Sequence, residues 1–145
     1  MKVAIVTGAN RGIGLATVKN IIPLFDGHVY LTSRSEEQGR EAVAKLKDDG
    51  LECYFCHLDL NDETSILKVR DTMVAAYGGI DVLINNAGMA FKVKAPDPFG
   101  HQARVTVDNN YYGTKRVCDI LFPVLKAGSR VVNLSSSLGH LVSNK

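Results

Sequence analysis

Val3-Ala4-Ile5-Val6-Thr7-Gly8-Ala9-Asn10-Arg11-Gly12-Ile13-Gly14 is an apolar, β-branched run that enters a turn holding three glycines. Leu15-Ala16-Thr17-Val18 follows with the look of a helix start. A buried strand that passes through such a turn into a helix makes an anion site. The first-turn N–H groups lack partners inside the helix, and the helix dipole places partial positive charge on them. Glycines admit φ > 0 and let backbone approach a diphosphate without a Cβ in the way. The spacing is Gly-x-x-x-Gly-x-Gly, which is neither Gly-x-Gly-x-x-Gly nor a P-loop, because no Lys-Ser or Lys-Thr follows the last glycine. A plain βα turn without ligand is the competing reading. Strand before and helix after favour the anion site.

The 145 residues suit one domain with a real core. Hydrophobic content of 46% and charged content of 22% are those of a globular protein. A net charge of +2, with no basic run, gives no reason to expect nucleic acid. Met1-Lys2-Val3 leads straight into a strand, so no leader segment is expected, and no apolar run is long enough to cross a bilayer. Three cysteines fit a reducing, cytoplasmic setting better than a disulfide scaffold. Cys53 and Cys56 fall in a strand-like run, Leu51 to Leu58, where alternation sends them to opposite faces as packing residues. No metal site is expected.

Along the chain, strand and helix alternate. Helical spacing runs from Ile13 to Phe25, and His28 to Thr32 reads as a second strand. Glu36 to Asp49 is an amphipathic helix stopped by Gly50, and Leu51 to Leu58 is a third strand. Asn61 is placed to cap a helix presenting Ile66, Val69, Met73, Val74 and Tyr77. Ile80 to Asn85 is a fourth strand, short and apolar as buried parallel strands are. A long helical pattern spans about Gln102 to Leu125, and Arg130 to Leu134 is a fifth strand, after which the chain runs out. Such alternation implies parallel pairing, hence an α/β, Rossmann-type doubly wound parallel sheet of five strands in order 3-2-1-4-5. In that architecture ligands bind beyond the carboxyl ends of the strands. Gly8 to Gly14, Ser33-Arg34, Asp59-Leu60, Asn85 to Gly88 and Ser135 to Ser137 all fall at such ends. Their convergence is the main argument for a nucleotide site.

The segment after the second strand selects the nucleotide. An NAD site usually places an acid there, roughly 20 residues past the glycines, to accept from the ribose 2′-hydroxyl. Here Thr32-Ser33-Arg34-Ser35 precedes the first acid, Glu36. Arg34 can grip a 2′-phosphate through two parallel hydrogen bonds, flanked by Asn10 and Arg11, so the expected cofactor is NADP(H). An exposed loop arginine is the alternative for Arg34. Asp59 is placed to accept from the adenine amino group, with helix capping as its competing role. Asn86, Ala87 and Gly88 are short enough for backbone to approach the cofactor.

Thr7 to Gly14, Asn85-Asn86-Ala87-Gly88, Asn110-Tyr111-Tyr112-Gly113 and Asn133-Leu134-Ser135-Ser136 resemble, in order and spacing, the motifs of the short-chain dehydrogenase/reductases. The wording of Gly88 to Val93, Pro98-Phe99 and Arg130 to Asn133 is similar to that of the monomeric NADPH-dependent carbonyl reductases. The resemblance implies hydride transfer between NADPH and a ketone, aldehyde or quinone carbonyl on a small molecule. It implies that Asn110 is the catalytic-helix asparagine, whose backbone carbonyl holds a relay water, and that Ser136 hydrogen-bonds the substrate carbonyl. Counting two residues past Leu134 selects Ser136 over Ser135 and Ser137. It makes Gly8, Asn10, Arg11, Gly12, Ile13, Gly14, Arg34, Asp59, Leu60, Asn86, Ala87 and Gly88 the cofactor set. Phe91, Lys92, Val93 and Gln102 match positions touching the glutathione part of glutathionylated substrates. Asn110 back-bonding within its helix and Ser136 capping a helix are the plain alternatives.

The family's Tyr-x-x-x-Lys pair, in which the Tyr protonates the carbonyl oxygen, belongs after the fifth strand, and nothing follows Lys145. Tyr111 and Lys115 have the spacing but precede the serine. Residues 1–145 are therefore expected to be one NADP(H)-binding domain, incomplete at its C-terminal edge and close to inert alone. General acid catalysis is worth on the order of 10²–10⁴ in rate. Val131 to Leu134 should then form an exposed apolar edge open to self-association. Three readings stand: the cofactor half of a carbonyl reductase, an inert NADP(H)-binding module, or a chain-pairing fragment.

Overall fold

The computed structural model describes residues 1–139, so the run-out of the last six residues lies outside the described part. Strands β1 (Lys2–Val6), β2 (Gly27–Ser33), β3 (Tyr54–His57), β4 (Ile80–Asn85) and β5 (Leu125–Asn133) pair in parallel. Their order is β3-β2-β1-β4-β5, as the alternation predicts. Because successive side chains of a strand point to opposite faces, β1 feeds two half-cores. Val3 and Ile5 meet Ile66, Val69 and Met73 of α3 (Glu63–Tyr77) and Val117 and Leu121 of α5 (Thr114–Leu121). Ala4 and Val6 meet Val18 of α1 (Gly12–Ile21) and Ala42 and Leu46 of α2 (Glu36–Asp48). Each such aliphatic side chain contributes about 1.5–3 kcal/mol by leaving water.

Several boundaries differ from the pattern reading. The first helix ends at Ile21 and passes into a 3₁₀ turn, Ile22–Leu24, because Pro23 cannot continue the α ladder. The third strand is Tyr54–His57 rather than Leu51 to Leu58, since Leu51 N–H is still bonded to the Leu46 carbonyl, 2.8 Å away, closing α2. Cys53 does pack on the α1/α2 side and Cys56 against the α3/α5 side. Burial pushes both thiols up to about 11. Asn61 is not the cap of α3: Asp62 is, accepting from Thr64 N–H at 3.0 Å. Val74, expected on the buried face, is exposed, because Met73 already fills that turn of the core. Strand β5 begins at Leu125, opposite Ile80, then bulges around Gly128 (φ 79) and resumes with Arg130 opposite Val82. Alternation breaks at the bulge, which hides the first part of the strand from pattern reading.

The long helical pattern after β4 is α4 (Phe99–Val107), a wide π turn (Asp108–Gly113), α5 and a 3₁₀ turn at Phe122–Val124. It starts at Phe99, three residues earlier than the spacing suggests, because the Pro98 carbonyl accepts from Gln102 N–H at 3.0 Å. At the amino ends of the strands lies an aromatic network. The Tyr77 hydroxyl is 2.7 Å from His28 Nδ1 and 3.0 Å from the Tyr30 hydroxyl, and Tyr54 stacks on Tyr30. Burial and the bond to Tyr77 push the Tyr30 hydroxyl well above the ordinary tyrosine range.

Candidate functional site

At the opposite end of the sheet, the loops after the strands are tied to one another. Thr7 closes β1 and is buried. Its Oγ1 accepts from both Asn86 N–H and Ala87 N–H, each at 3.0 Å. Asn86 Nδ2 donates in return to the carbonyls of Thr7 (2.9 Å) and Gly8 (3.0 Å). The loop after β4 is thereby fastened flat onto the glycine turn. Gly8 has φ 60, and a Cβ there would stand 2.8 Å from Ala87 Cα, so this contact requires glycine. A Cβ on Gly14 would collide with the Asn86 amide and stand 2.7 Å from the Gly8 carbonyl oxygen. Gly12 differs: it has φ 57, and a Cβ would meet nothing within 4 Å.

Gly12 opens α1, and the side chain of the preceding residue, Arg11, makes no capping bond. Helices α2 and α3, by contrast, are capped by Ser35 and Asp62. The start of α1 therefore has no side-chain cap, and Ile13 is left 69% exposed there. An uncapped helix end under an open glycine is a place where an anion can be held by backbone N–H groups. Asn10 turns its amide to Gln38, donating to Oε1 at 3.1 Å. Arg34, just past β2, is exposed; its carbonyl accepts from His57 Nε2 at 3.1 Å and holds the loop. Asp59 uses Oδ1 to accept from Asn61 N–H at 2.9 Å, so its role here is a turn, not a helix cap. Leu60 is buried beneath Gly113, and its carbonyl accepts from Arg116. It shapes the site from below through packing.

Asn110 sits in the wide turn and clasps the loop after β4. Its Oδ1 accepts from Met89 N–H and its Nδ2 donates to the Met89 carbonyl, both at 2.8 Å. The alternative of back-bonding within its own helix turn is not what the side chain does. Gly88 lies beneath it, where a Cβ would stand 3.5 Å from Asn110 Oδ1. Asn109 is buried, donates to Asn110 Oδ1 (3.0 Å) and accepts from Asn61 (3.2 Å), linking the loop after β3 to the same cluster. A π turn widens the helix at one place and recurs at functional sites. Ser136 follows β5 in an exposed stretch and accepts from Gly139 N–H through its carbonyl at 2.9 Å.

Phe91, Lys92, Val93 and Gln102, expected at the substrate, share one region, the loop after β4 and the start of α4. Phe91 packs edge-on to His101, ring centres 6.2 Å apart. The Lys92 carbonyl accepts from Ala95 N–H, Val93 is fully exposed, and Gln102 Nε2 donates to the Asp97 carbonyl at 2.7 Å. Gln102 thus holds the loop rather than facing outward. Lys115 is paired with Asp119 at 2.5 Å, and that bond raises its ammonium pKa. Thr7 and Asn109 are the residues that pattern reading passes over. Thr7 lies inside the quoted glycine motif, but its hydroxyl becomes essential only once β4 lies alongside β1.

The model for short chain dehydrogenases matches this chain over residues 2–144. The chain belongs to that family. Within the short-chain dehydrogenases it is 49% identical over 138 residues to Carbonyl reductase (NADPH) 1 of Macaca fascicularis, covering 95% of this chain and 50% of that protein. The human protein of the same name is 51% identical over 134 residues, covering 92% of this chain and 48% of its own. The chain spans about half the length of the curated relatives it matches. Among solved structures, salutaridine reductase from Papaver somniferum superposes with a TM-score of 0.86 at 30% identity, over 97% of this chain and 59% of that one. Menthone neomenthol reductase from Mentha piperita gives 0.82 at 29%, over 94% and 61%. The five-strand order is thus that of a short-chain dehydrogenase.

Proposed function

We propose that residues 1–145 form an NADP(H)-binding domain and the cofactor half of a carbonyl reductase acting on small ketones, aldehydes or quinones. The observation that carries this is the uncapped start of α1 under the open Gly12, with an exposed Arg34 and no carboxylate between β2 and Glu36. The N–H groups of Gly12, Ile13 and Gly14 face the diphosphate. Arg34, helped by Arg11 and Asn10, grips the 2′-phosphate by charge-assisted bonds. The second oxygen of Asp59 accepts from the adenine amino group. Ala87, pressed onto Gly8, and the exposed Gly88 leave room for the cofactor to lie close. The bound cofactor supplies the hydride. On the acceptor side, Asn110 positions the loop after β4 and offers its backbone carbonyl to a relay water. Ser136 donates to the substrate carbonyl, and Phe91, Lys92 and Val93 border the acceptor, with Gln102 holding their loop through the Asp97 carbonyl. The curated relatives bearing the name carbonyl reductase support this assignment.

The 145 residues contain no Tyr-x-x-x-Lys after Ser136. These residues alone therefore bind cofactor without turning it over. Titration with NADPH, read by its fluorescence, gives saturable binding; no change at millimolar cofactor overturns the assignment. NADPH oxidation dependent on menadione or isatin stays at background, and turnover at ordinary reductase rates would refute the inert form. A cytoplasmic setting is favoured by the three free cysteines. No helix among the described residues is long and apolar enough to cross a membrane. A second reading, pairing of two chains through β5, is favoured by exposure of Val131, Val132 and Leu134. A single monomeric peak in size-exclusion chromatography excludes it.

A further inference from the structure

We infer that Asn109 is a positioning residue that couples the two ends of the cofactor site, so that filling the adenine end holds the Met89 loop at the acceptor end. The inference rests on the dinucleotide assignment above. Three side-chain amides stand in series between the loop after β3 and the loop after β4. Asn61 Nδ2 donates to Asn109 Oδ1 at 3.2 Å, and Asn109 Nδ2 donates to Asn110 Oδ1 at 3.0 Å. Asn110 Nδ2 then donates to the Met89 carbonyl at 2.8 Å. Asn109, in the middle, is buried, whereas Asn61 and Asn110 are exposed at the two ends.

Backbone groups dictate the direction of the series. Met89 N–H only donates and its carbonyl only accepts, so Asn110 must turn Oδ1 to the first and Nδ2 to the second. The same Oδ1 takes its second donor from Asn109, which leaves Asn109 Oδ1 to accept from Asn61. Flipping the Asn109 amide would set donor against donor on one side and acceptor against acceptor on the other. At the far end, Asp59 Oδ1 accepts from Asn61 N–H at 2.9 Å, and Asp59 N–H donates to the buried Ser65 Oγ, also at 2.9 Å. A ligand amino group on the second oxygen of Asp59 fixes this turn, and with it the donor that Asn61 presents to Asn109. Leu60 joins the same loop to Gly113 and Arg116, but among the described residues only the amide series ends on Met89. Two states are thereby defined, the Met89 loop clasped by Asn110 and the same loop released. Order imposed at Asp59 favours the clasped one.

The test is amide hydrogen exchange at Met89, followed by NMR on the full chain with and without saturating adenosine 2′,5′-bisphosphate. That probe carries no nicotinamide, so it occupies the adenine end alone. In the unsubstituted chain it is expected to slow exchange of Met89 N–H by about fivefold or more. Asn109→Leu removes both middle bonds at similar volume, and the slowing is expected to vanish although the bisphosphate still binds. Asn61→Asp, at an exposed residue, exchanges only the donor amide for an acceptor and should abolish the slowing with Asn109 intact. Slowing retained in either variant, or none in the unsubstituted chain with the bisphosphate bound, overturns the inference. Failure of the unsubstituted chain to bind both NADPH and the bisphosphate overturns the dinucleotide assignment itself, and the inference with it.

Discussion

Strands β1 and β5 are both rich in valine and both run parallel to β4, yet their fates differ. In β1 every residue from Val3 to Val6 is fully buried, with a strand on each side and helices over both faces. In β5, Val131 is 36% and Val132 47% exposed, and one edge of the strand meets no other strand among the described residues. The same side chains are core in one place and surface in the other. Hydrophobicity supplies the drive to bury, but neighbours decide whether burial happens. An uncovered strand of this kind is a template for further pairing.

Four substitutions test that contrast, each read by urea denaturation. Ile5→Ala, in the centre of β1, should cost about 2–5 kcal/mol; a loss below that range would mean β1 is less tightly enclosed than its burial implies. Thr7→Val keeps the shape but strips the acceptor from two N–H groups, costing about 1–3 kcal/mol. It should also weaken NADPH binding, because the loop after β4 loosens from the glycine turn.

The third substitution concerns the joint between the two strands. Asp81 accepts from Val3 N–H and from Lys126, each at 2.8 Å, binding the starts of β1, β4 and β5. Burial works to raise its carboxyl pKa, but the bonds from Lys126 and Val3 prevail and hold it below the usual carboxylate range. A depressed folded pKa means that the stabilisation is fully present above the unfolded value, about 4. It is lost as pH falls through the lower folded value. Asp81→Asn should therefore cost about 1 kcal/mol at pH 7, and the difference from the parent should vanish towards pH 2. An undiminished difference there would rule out the carboxylate as its source. The smallest effect is expected in β5 itself: Val132→Thr should change stability by no more than about 0.5 kcal/mol. A larger loss would show that β5 is covered in solution.

Strand order was legible because it depends on local signals: apolar runs, glycines and helical periods. The glycine motif was likewise readable, but that Gly8 presses on Ala87 while Gly12 stands open was not. What escaped is relational. Thr7 looks like one more β-branched strand residue until Asn86 and Ala87 present their N–H groups to it. Asn109 looks like a surface polar residue until Asn61 and Asn110 enclose it. Asn61 and Asp62 are both good cap residues, and only the path of the loop chooses between them. Gln102, expected at the acceptor, is engaged by a carbonyl five residues back, a contact set by the turn at Pro98.

The wide turn at Asp108–Gly113 also works as a phase shifter. A regular α-helix advances about 100° per residue, so a helix spanning Phe99 to Leu121 without interruption would have one fixed relation between its two ends. The π turn breaks that relation. It lets α5 point Val117 and Leu121 into the core while Asn110 still faces Met89. Winding the same six residues, Asp108–Gly113, as ordinary α-helix would rotate one half against the other by close to one residue's step, about 100°. Core packing and the Asn110 clasp could not then both be kept, so the winding of this turn is as much a part of the site as the asparagine it carries.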